Sequence, residues 1–421
     1  MSSRNIGTAV VTSRRKESSG PYDSCCKTEF RSIHFSGRQL DTVEIACELV
    51  CVVTMRRSLT ALSACLWACG DNAVSPPDAA RDVSFEPAAH IPMPLVFPHT
   101  GTVLPSVQLV TVTFDGYADR DAVEQFGAAI VSSHWYVSAG AEYNVTAGAA
   151  LPAVRLAQMP VSLTRQDIRA QIANLTAGTL TTNPAVPAAP PLYMVYIPAN
   201  VEISDLAVHR SYHEVIRLGN GGQVPLAVVL DGGDTAATLV AAAHQLIDAA
   251  TDPFTEPREG YYADPPVNDP WSLVLGEVAD LCEAEDLVSD GGYALPRVYS
   301  NRAVSAGKSP CTPFVPDDTW SDVSAKPSQM PTVAAGSSTT YVLTGWSTRE
   351  IPDWKLSLHA ADRSDFTLIQ MAPDLSSDTI NNKAKVTLTL RVPPEATSGQ
   401  TGGVYVLSGD KHPWAVGFVV Q

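Results

Sequence analysis

The sequence predicts an α+β protein, with a mixed α/β domain over residues 98–316 and an all-β, Ig-like sandwich over 327–421. Three observations lead there. Between 107 and 285, short β-branched runs alternate with capped or Ala-rich stretches of helical period. After about Pro316 the helical stretches stop, and short alternating segments recur between Gly, Ser, Asn, Asp and Pro turns. Only 17% of the 421 residues are charged, while Pro (32) and Gly (27) are plentiful, which suits loop-rich exported domains better than helical bundles.

In chain order, 107–114 alternates β-branched and polar residues and reads as a strand. Asp119 is placed to cap a helix from 120 to about 133. Thr164 with Asp167 is a capping-box pattern for a helix to about 175, followed by a Thr/Pro/Ala loop over 177–191. The apolar runs 192–197 and 224–230 read as buried strands. Gly232, Gly233 and Asp234 then turn the chain into an Ala-rich helix over 235–250, which stops at Asp252-Pro253. A further helix is expected over 274–285. Beyond it, 340–344, 355–359, 366–371, 385–392, 404–407 and 414–420 read as sandwich strands. No cluster suited to chemistry falls among them, so spacing or binding is the expected job of that domain.

The N-terminal end reads as an export signal. Met55-Arg56-Arg57 opens a basic stretch, an apolar run follows to Ala68, and Cys69-Gly70-Asp71-Asn72 comes next. The run is too short to span a bilayer. Leu66-Trp67-Ala68-Cys69 resembles a bacterial lipobox, in which the Cys is lipidated and becomes the new N-terminus. Leu62-Ser63-Ala64-Cys65 is the alternative, at the expense of a very short apolar run. The expectation is an exported cell-envelope protein, on the outer membrane or cell surface, anchored to the membrane by lipid on Cys69. Residues 70–97, rich in Pro, Ala and Asp, read as a tether. Residues 1–54 show no role ahead of such a signal. They read as a mis-assigned extension with Met55 the true start, or as a cytoplasmic extension with an internal anchor.

The net charge is −16; residues 1–68 contribute +3, leaving −19 on the remainder. So acidic a body argues against nucleic acid or anionic lipid as the main partner and tolerates divalent cations. Six of the eight cysteines lie at or before Cys69, leaving Cys282 and Cys311 in the body. In an exported chain these read as one disulfide, the other reading being two unrelated buried thiols.

The helix over 235–250 contains His244-Gln245-Leu246-Ile247-Asp248. Positions i and i+4 share a helix face, so His244 and Asp248 could reach one metal ion together. The zinc pattern of this kind is H-E-x-x-H, whose Glu is the general base. Gln245 stands at the base position and cannot accept a proton from water. Asp248 replaces the second His, a harder ligand that could favour other divalent ions. Glu277, on the expected helix over 274–285, is the best third ligand, with Asp280 orienting His244 from behind. On spacing alone, the competing reading is a helix-surface His–Asp hydrogen bond with Glu277 and Asp280 solvated.

The run His-Gln-Leu-Ile-Asp-Ala-Ala-Thr-Asp-Pro from 244, then Trp271, then Gly-Glu-Val-Ala-Asp-Leu-Cys from 276, resembles plant phosphate-induced (EXORDIUM-like) secreted proteins. Those carry S-H-E-L-A-E-x-x-x-N-P, a later Trp and E-I-G-D-L-C. Bacterial envelope proteins with S-H-E-x-x-E-A-x-T-D-P are more similar still. Segments around 126–143, Ser211-Tyr212-His213, 224–228, Tyr299-Ser300-Asn301 and Cys311 follow in the same order, so the resemblance covers about 105–315. It implies a zincin-like domain of gluzincin type. His244, Asp248 and Glu277 would be metal ligands, possible zinc the cofactor, and Asp280 and Cys282 would match the E-x-x-D-x-C element. Gln245 matches the family Glu and breaks it. Where a metal polarises a carbonyl and activates water, loss of the general base typically lowers the rate about 10²–10⁴-fold. Weak or absent peptidase activity is therefore expected, with His213 or Glu283 as conceivable substitutes and His213 and Trp271 as a site rim.

Other features are weaker. His134-Trp135-Tyr136 could line a groove, or pack a core. Tyr261-Tyr262 with Asp264 and Asp269 could form a rim or calcium loop, or an ordinary loop. Gly219-Asn220-Gly221-Gly222 lacks the P-loop Lys, and no G-x-S-x-G is present. Two function classes stand: a zinc-dependent hydrolase-like lipoprotein with a degenerate site, or a non-catalytic envelope protein holding a polysaccharide, a peptide or a protein partner.

Overall fold

Continuous apolar strands need cover on both faces, and the α/β part of the chain supplies it with helices and loops. In the computed structural model the described residues are 85–421, apart from 100, 158–161, 181–189, 207–210, 220, 255–259, 275, 314–318 and 410. The export segment 55–69 with Cys65 and Cys69, the stretch 1–54 and the first part of the expected tether lie outside them.

The α/β part runs β1 (Ser106–Phe114), α1 (Arg120–Ile130), α2 (His134–Gly140), β2 (Thr146–Ala150), β3 (Val154–Leu156), α3 (Arg165–Leu180), β4 (Leu192–Ile197), β5 (Tyr212–Arg217), β6 (Gln223–Leu230) and α4 (Thr235–Thr251). The sheet order is β2-β1-β4-β6-β5, with β3 also on β1. All pairings are parallel except β5 with β6, so an antiparallel strand forms one edge. Val110, Val112, Tyr193, Val195, Leu226 and Val228 face a core closed by Ile168 and Ile172 of α3. Leu109, Met194, Tyr196, Ala227 and Val229 face a second core with Ala242, Leu246 and Ile247 of α4. The sheet is thus covered on both sides, and α4 lies beside the β5–β6 edge.

Two expected helices come out differently. The helix expected over 120–133 ends at Ile130, because the Ser133 hydroxyl accepts from Tyr136 N and starts α2. Trp135 and Tyr136 are then fully buried, with Trp135 Nε1 donating to Pro296 O at 2.8 Å, so this cluster packs a core and lines no groove. The helix expected over 274–285 is absent apart from a 3-10 turn, Asp280–Cys282. The backbone groups such a helix needs are engaged elsewhere. Ala279 N donates to Asp248 Oδ1 (2.9 Å), and Tyr299 N donates to Val278 O (2.8 Å). Gly276 fits where it does only without a side chain, since a Cβ there would lie 2.5 Å from Ala263 O.

The C-terminal β strands begin with β7 (Ser321–Lys326), in the same compact unit as the α/β part. They continue with β8 (Thr332–Val333), β9 (Ser338–Ser347), β10 (Trp354–Ala360), β11 (Asp374–Leu375), β12 (Thr379–Ile380), β13 (Lys385–Arg391), β14 (Thr401–Ser408) and β15 (His412–Val420). They form a four-stranded sheet, β7-β9-β13-β11, and a five-stranded sheet, β8-β15-β14-β10-β12. The segment 366–371, expected as a strand, holds a short helix, Leu368–Met371, closed by a Thr367–Gln370 capping box. Tyr341, Leu343, Leu388, Val404, Val406, Val416 and Phe418 are buried, and the Tyr341 hydroxyl donates across to Gly417 O.

The tether expectation is corrected from residue 85 onward. Ala88, Met93 and Val96 are buried, and the segment runs along both domains as a strap. Ala88 N donates to Asn382 Oδ1, Ile91 N to Ser324 Oγ and Val96 N to Asn301 Oδ1. Phe97–Pro98 then pairs with Tyr261–Tyr262, which makes the latter part of a small sheet. Among the described residues no helix is long and apolar enough to cross a membrane.

Candidate metal centre

The site is built on α4. Asp234 caps it, its side chain accepting from Ala236 N at 3.0 Å, and the helix runs 17 residues before Asp252 ends it. His244 and Asp248 sit one turn apart on the face turned toward the loop after Gly276. His244 Nε2 lies 3.0 Å from Asp248 Oδ2 and 3.0 Å from Asp280 Oδ1. Possible ligand atoms of these three residues all lie within 4.8 Å of one another. Atoms bound at about 2.1 Å around one zinc ion sit roughly 3–3.5 Å apart, so the spacing fits the donor set. Asp248 is fully buried; its Oδ1 accepts from Ala279 N, and its Oδ2 faces His244 without a hydrogen bond. The competing reading, a helix-surface His–Asp pair with Glu277 and Asp280 solvated, is corrected: Asp248 is fully buried, and Glu277 and Asp280 are largely buried.

Asp280 meets His244 directly, as the orienting acceptor expected of it would. Glu277 instead faces His213 of β5, with Oε1 3.6 Å from Nε2. That His213 nitrogen also lies 3.0 Å from Asp252 O, which can only accept, so Nε2 carries the proton there. With 276–282 in a turn and not in a helix, Asp280 reaches His244 of α4 while Glu277 reaches His213 of β5.

These groups line a cleft of about 390 Å³ together with Ser211, Tyr212, Gln245, Glu283, Glu285 and Leu287. Gln245 is 7% exposed, and its Oε1 is buried with no hydrogen-bond partner. Burial opposes charge on His244, but Asp248 and Asp280 outweigh it and raise its pKa well above the ordinary value. Burial likewise opposes charge on His213, while Glu277 and Asp248 carry its pKa upward. Burial pushes the Glu277 carboxyl up to about 8, against the pull of His213.

Of the expected site residues, His244, Gln245, Glu277, Asp280 and His213 line this cleft, as does Glu283, while Asp248 is buried beneath it against His244. Trp271 does not. Asp269 caps the 3-10 turn Pro270–Leu273, which carries Trp271 against Trp414 of the β domain, ring centroids 5.7 Å apart, so it is no site rim. Cys282 and Cys311 form a disulfide two residues past Asp280. Sequence reasoning missed Glu285 as a cleft residue; nothing in its local pattern signals it.

No protein-family model matches the chain, and no curated protein does. Among solved structures, it is similar to domains 5–6 of the S-layer protein SbsC at 15% identity and a TM-score of 0.19, covering 24% of this chain and 45% of that one. It is also similar to β-glucosidase from Listeria innocua in complex with gluconolactone, at 10% identity and a TM-score of 0.17, covering 77% of this chain and 48% of that one. The chain spans under half the length of each, and at such TM-scores neither likeness carries an argument.

Proposed function

We propose that the protein is an exported, lipid-anchored envelope protein whose α/β domain is a degenerate zincin-like site holding one divalent metal ion, with peptidase activity weak or absent. The observation that carries this is the convergence of His244, Asp280 and the buried Asp248, with His244, Asp280 and Gln245 lining one cleft. A site helix behind a mixed sheet, bordered by an antiparallel edge strand, agrees with the zincin-like reading. The β domain then reads as Ig-like, and the disulfide agrees with export.

In this reading His244, Asp248 and Asp280 are the ligands. One nitrogen and two carboxylate oxygens suit zinc and also harder divalent ions. Such an ion would supply Lewis-acid polarisation and water activation. Gln245 can orient a water by hydrogen bonding but cannot take its proton. The test is elemental analysis of protein purified without added metal. We expect about one equivalent of metal, lost in His244→Ala, and peptidase activity gained in Gln245→Glu. Absence of metal, with folding unchanged in His244→Ala, would leave the second reading, a non-catalytic binder of polysaccharide, peptide or protein. The Gln245 substitution is what favours that reading.

A further inference from the structure

The cleft wall opposite α4 is a loop, 280–287, that carries Asp280, Glu283, Glu285 and Leu287. Little regular structure holds it. Glu283 N donates to Asp280 O and Glu285 N to Cys282 O, as in a single irregular turn. Its first half is fixed to the α/β domain by the Cys282–Cys311 disulfide. Its second half reaches across to the β domain. Glu285 Oε1 lies 2.5 Å from His412 Nδ1, an ion-pair contact without hydrogen-bond alignment, with both side chains under a tenth exposed. Asp286 pairs with Lys411, and its carbonyl accepts from Arg297 Nε at 3.0 Å. His412 and Lys411 sit at the turn between β14 and β15, so one hairpin tip grips two successive loop residues.

We propose that the β domain completes the cleft, with His412 and Lys411 as positioning residues that hold loop 280–287, and through it Asp280, against α4. The spacing-or-binding role expected of that domain is then incomplete, because part of the site's geometry is set by it. Three features support a built contact. The Glu285–His412 pair is buried, so it is held by its surroundings instead of sampling solvent. His412 is further fixed by Trp320, their ring centroids 5.9 Å apart. The loop has no hydrogen-bond ladder of its own to keep Glu285 in place. The affinity part of the test rests on the metal-site reading above; the exchange part does not.

The test uses the full chain, comparing wild type with His412→Ala/Lys411→Ala and with His412→Asn/Lys411→Arg, which keeps a donor near the Nδ1 position and a cation at 411. Hydrogen exchange of peptides covering 280–288 is read beside that of the core strand β6, and zinc affinity is read by competition titration. We expect the double Ala variant to lose about tenfold protection in 280–288 with β6 unchanged. Zinc Kd should weaken about tenfold or more, and the conservative pair should restore both. If the double Ala variant does not fold, Glu285→Ala/Asp286→Ala removes the same two pairings from the loop side. Unchanged exchange and unchanged affinity in a folded variant overturn the proposal while leaving the metal site standing. If wild type takes up no zinc, the metal reading fails, and the exchange comparison alone decides this one.

Discussion

At the scale of the residue, the cleft is a collection of charges that folding has moved away from water. Glu277 titrates near 8 in the fold, because burial opposes its charge, and near 4.5 when exposed. Folding therefore takes up a proton between those values, and stability falls as pH rises from 4.5 toward 8. His244 works in the same direction. Its pKa is raised above the exposed value of 6.5 by Asp248 and Asp280 against burial. Its contribution is full below 6.5 and is lost as pH rises through the higher folded value. The metal-free protein should thus melt at a lower temperature at pH 8 than at pH 5.5. Thermal melts in chelator check this, and Glu277→Gln should flatten the dependence. A metal ion must displace the proton from His244, so zinc should restore stability more at pH 8 than at pH 5.5. Melts that rise with pH in the absence of metal would contradict the burial argument.

Among the elements, helix α4 was the most legible in sequence: an Asp cap, an Ala-rich apolar face and a Pro stop fix its ends within a residue or two. Its i, i+4 pair was legible for the same reason. The strands β1, β4 and β6 were readable from their β-branched runs. The segment 276–282 was not, because its conformation comes from distant partners: the Asp248 carboxylate, the Tyr299 amide and a disulfide to Cys311. Glu277 was therefore expected beside His244, where the turn brings Asp280 and leaves Glu277 against His213. The disulfide is the element-scale device that makes the turn possible, and it closes a separation of 29 residues. In the chain-entropy account, breaking such a loop lowers stability by about 3–4 kcal/mol. Cys282→Ser/Cys311→Ser should show that loss in denaturant titration. It should also weaken metal binding more than an equally destabilising change in the β domain's outer strands, since Asp280 lies two residues from the cross-link. Equal effects from both would mean that the turn is held by its hydrogen bonds alone.

Over the described residues, the α/β part and the β part lie in one compact unit, and the strap of residues 85–98 runs along both, so they should not behave as beads on a string. Leu273, at the end of the 3-10 turn that carries Trp271, enters the β domain where β14 and β15 are both glycine. A Cβ on Gly403 would lie 2.3 Å from Leu273 Cδ1, and one on Gly417 2.5 Å. Arg363 N donates to Leu273 O at 3.0 Å, and the Arg363 guanidinium reaches the Tyr262 hydroxyl, which fixes the turn from the β side. Trp271 against Trp414 and the His412–Glu285 pair extend the same contact. Domains joined only by a linker unfold independently, whereas those sharing a buried core unfold together. We therefore expect one calorimetric transition for the wild-type protein. Leu273→Ala removes the side chain that the two glycines make room for, and should lower stability by about 2–5 kcal/mol through lost burial and an unfilled cavity. Because the loss falls on the contact, it should also separate the melting into two transitions, with the helix-bearing domain distinguishable by its far-UV signal. A wild type that already melts in two independent steps would show that the packing holds the domains together without coupling their stability.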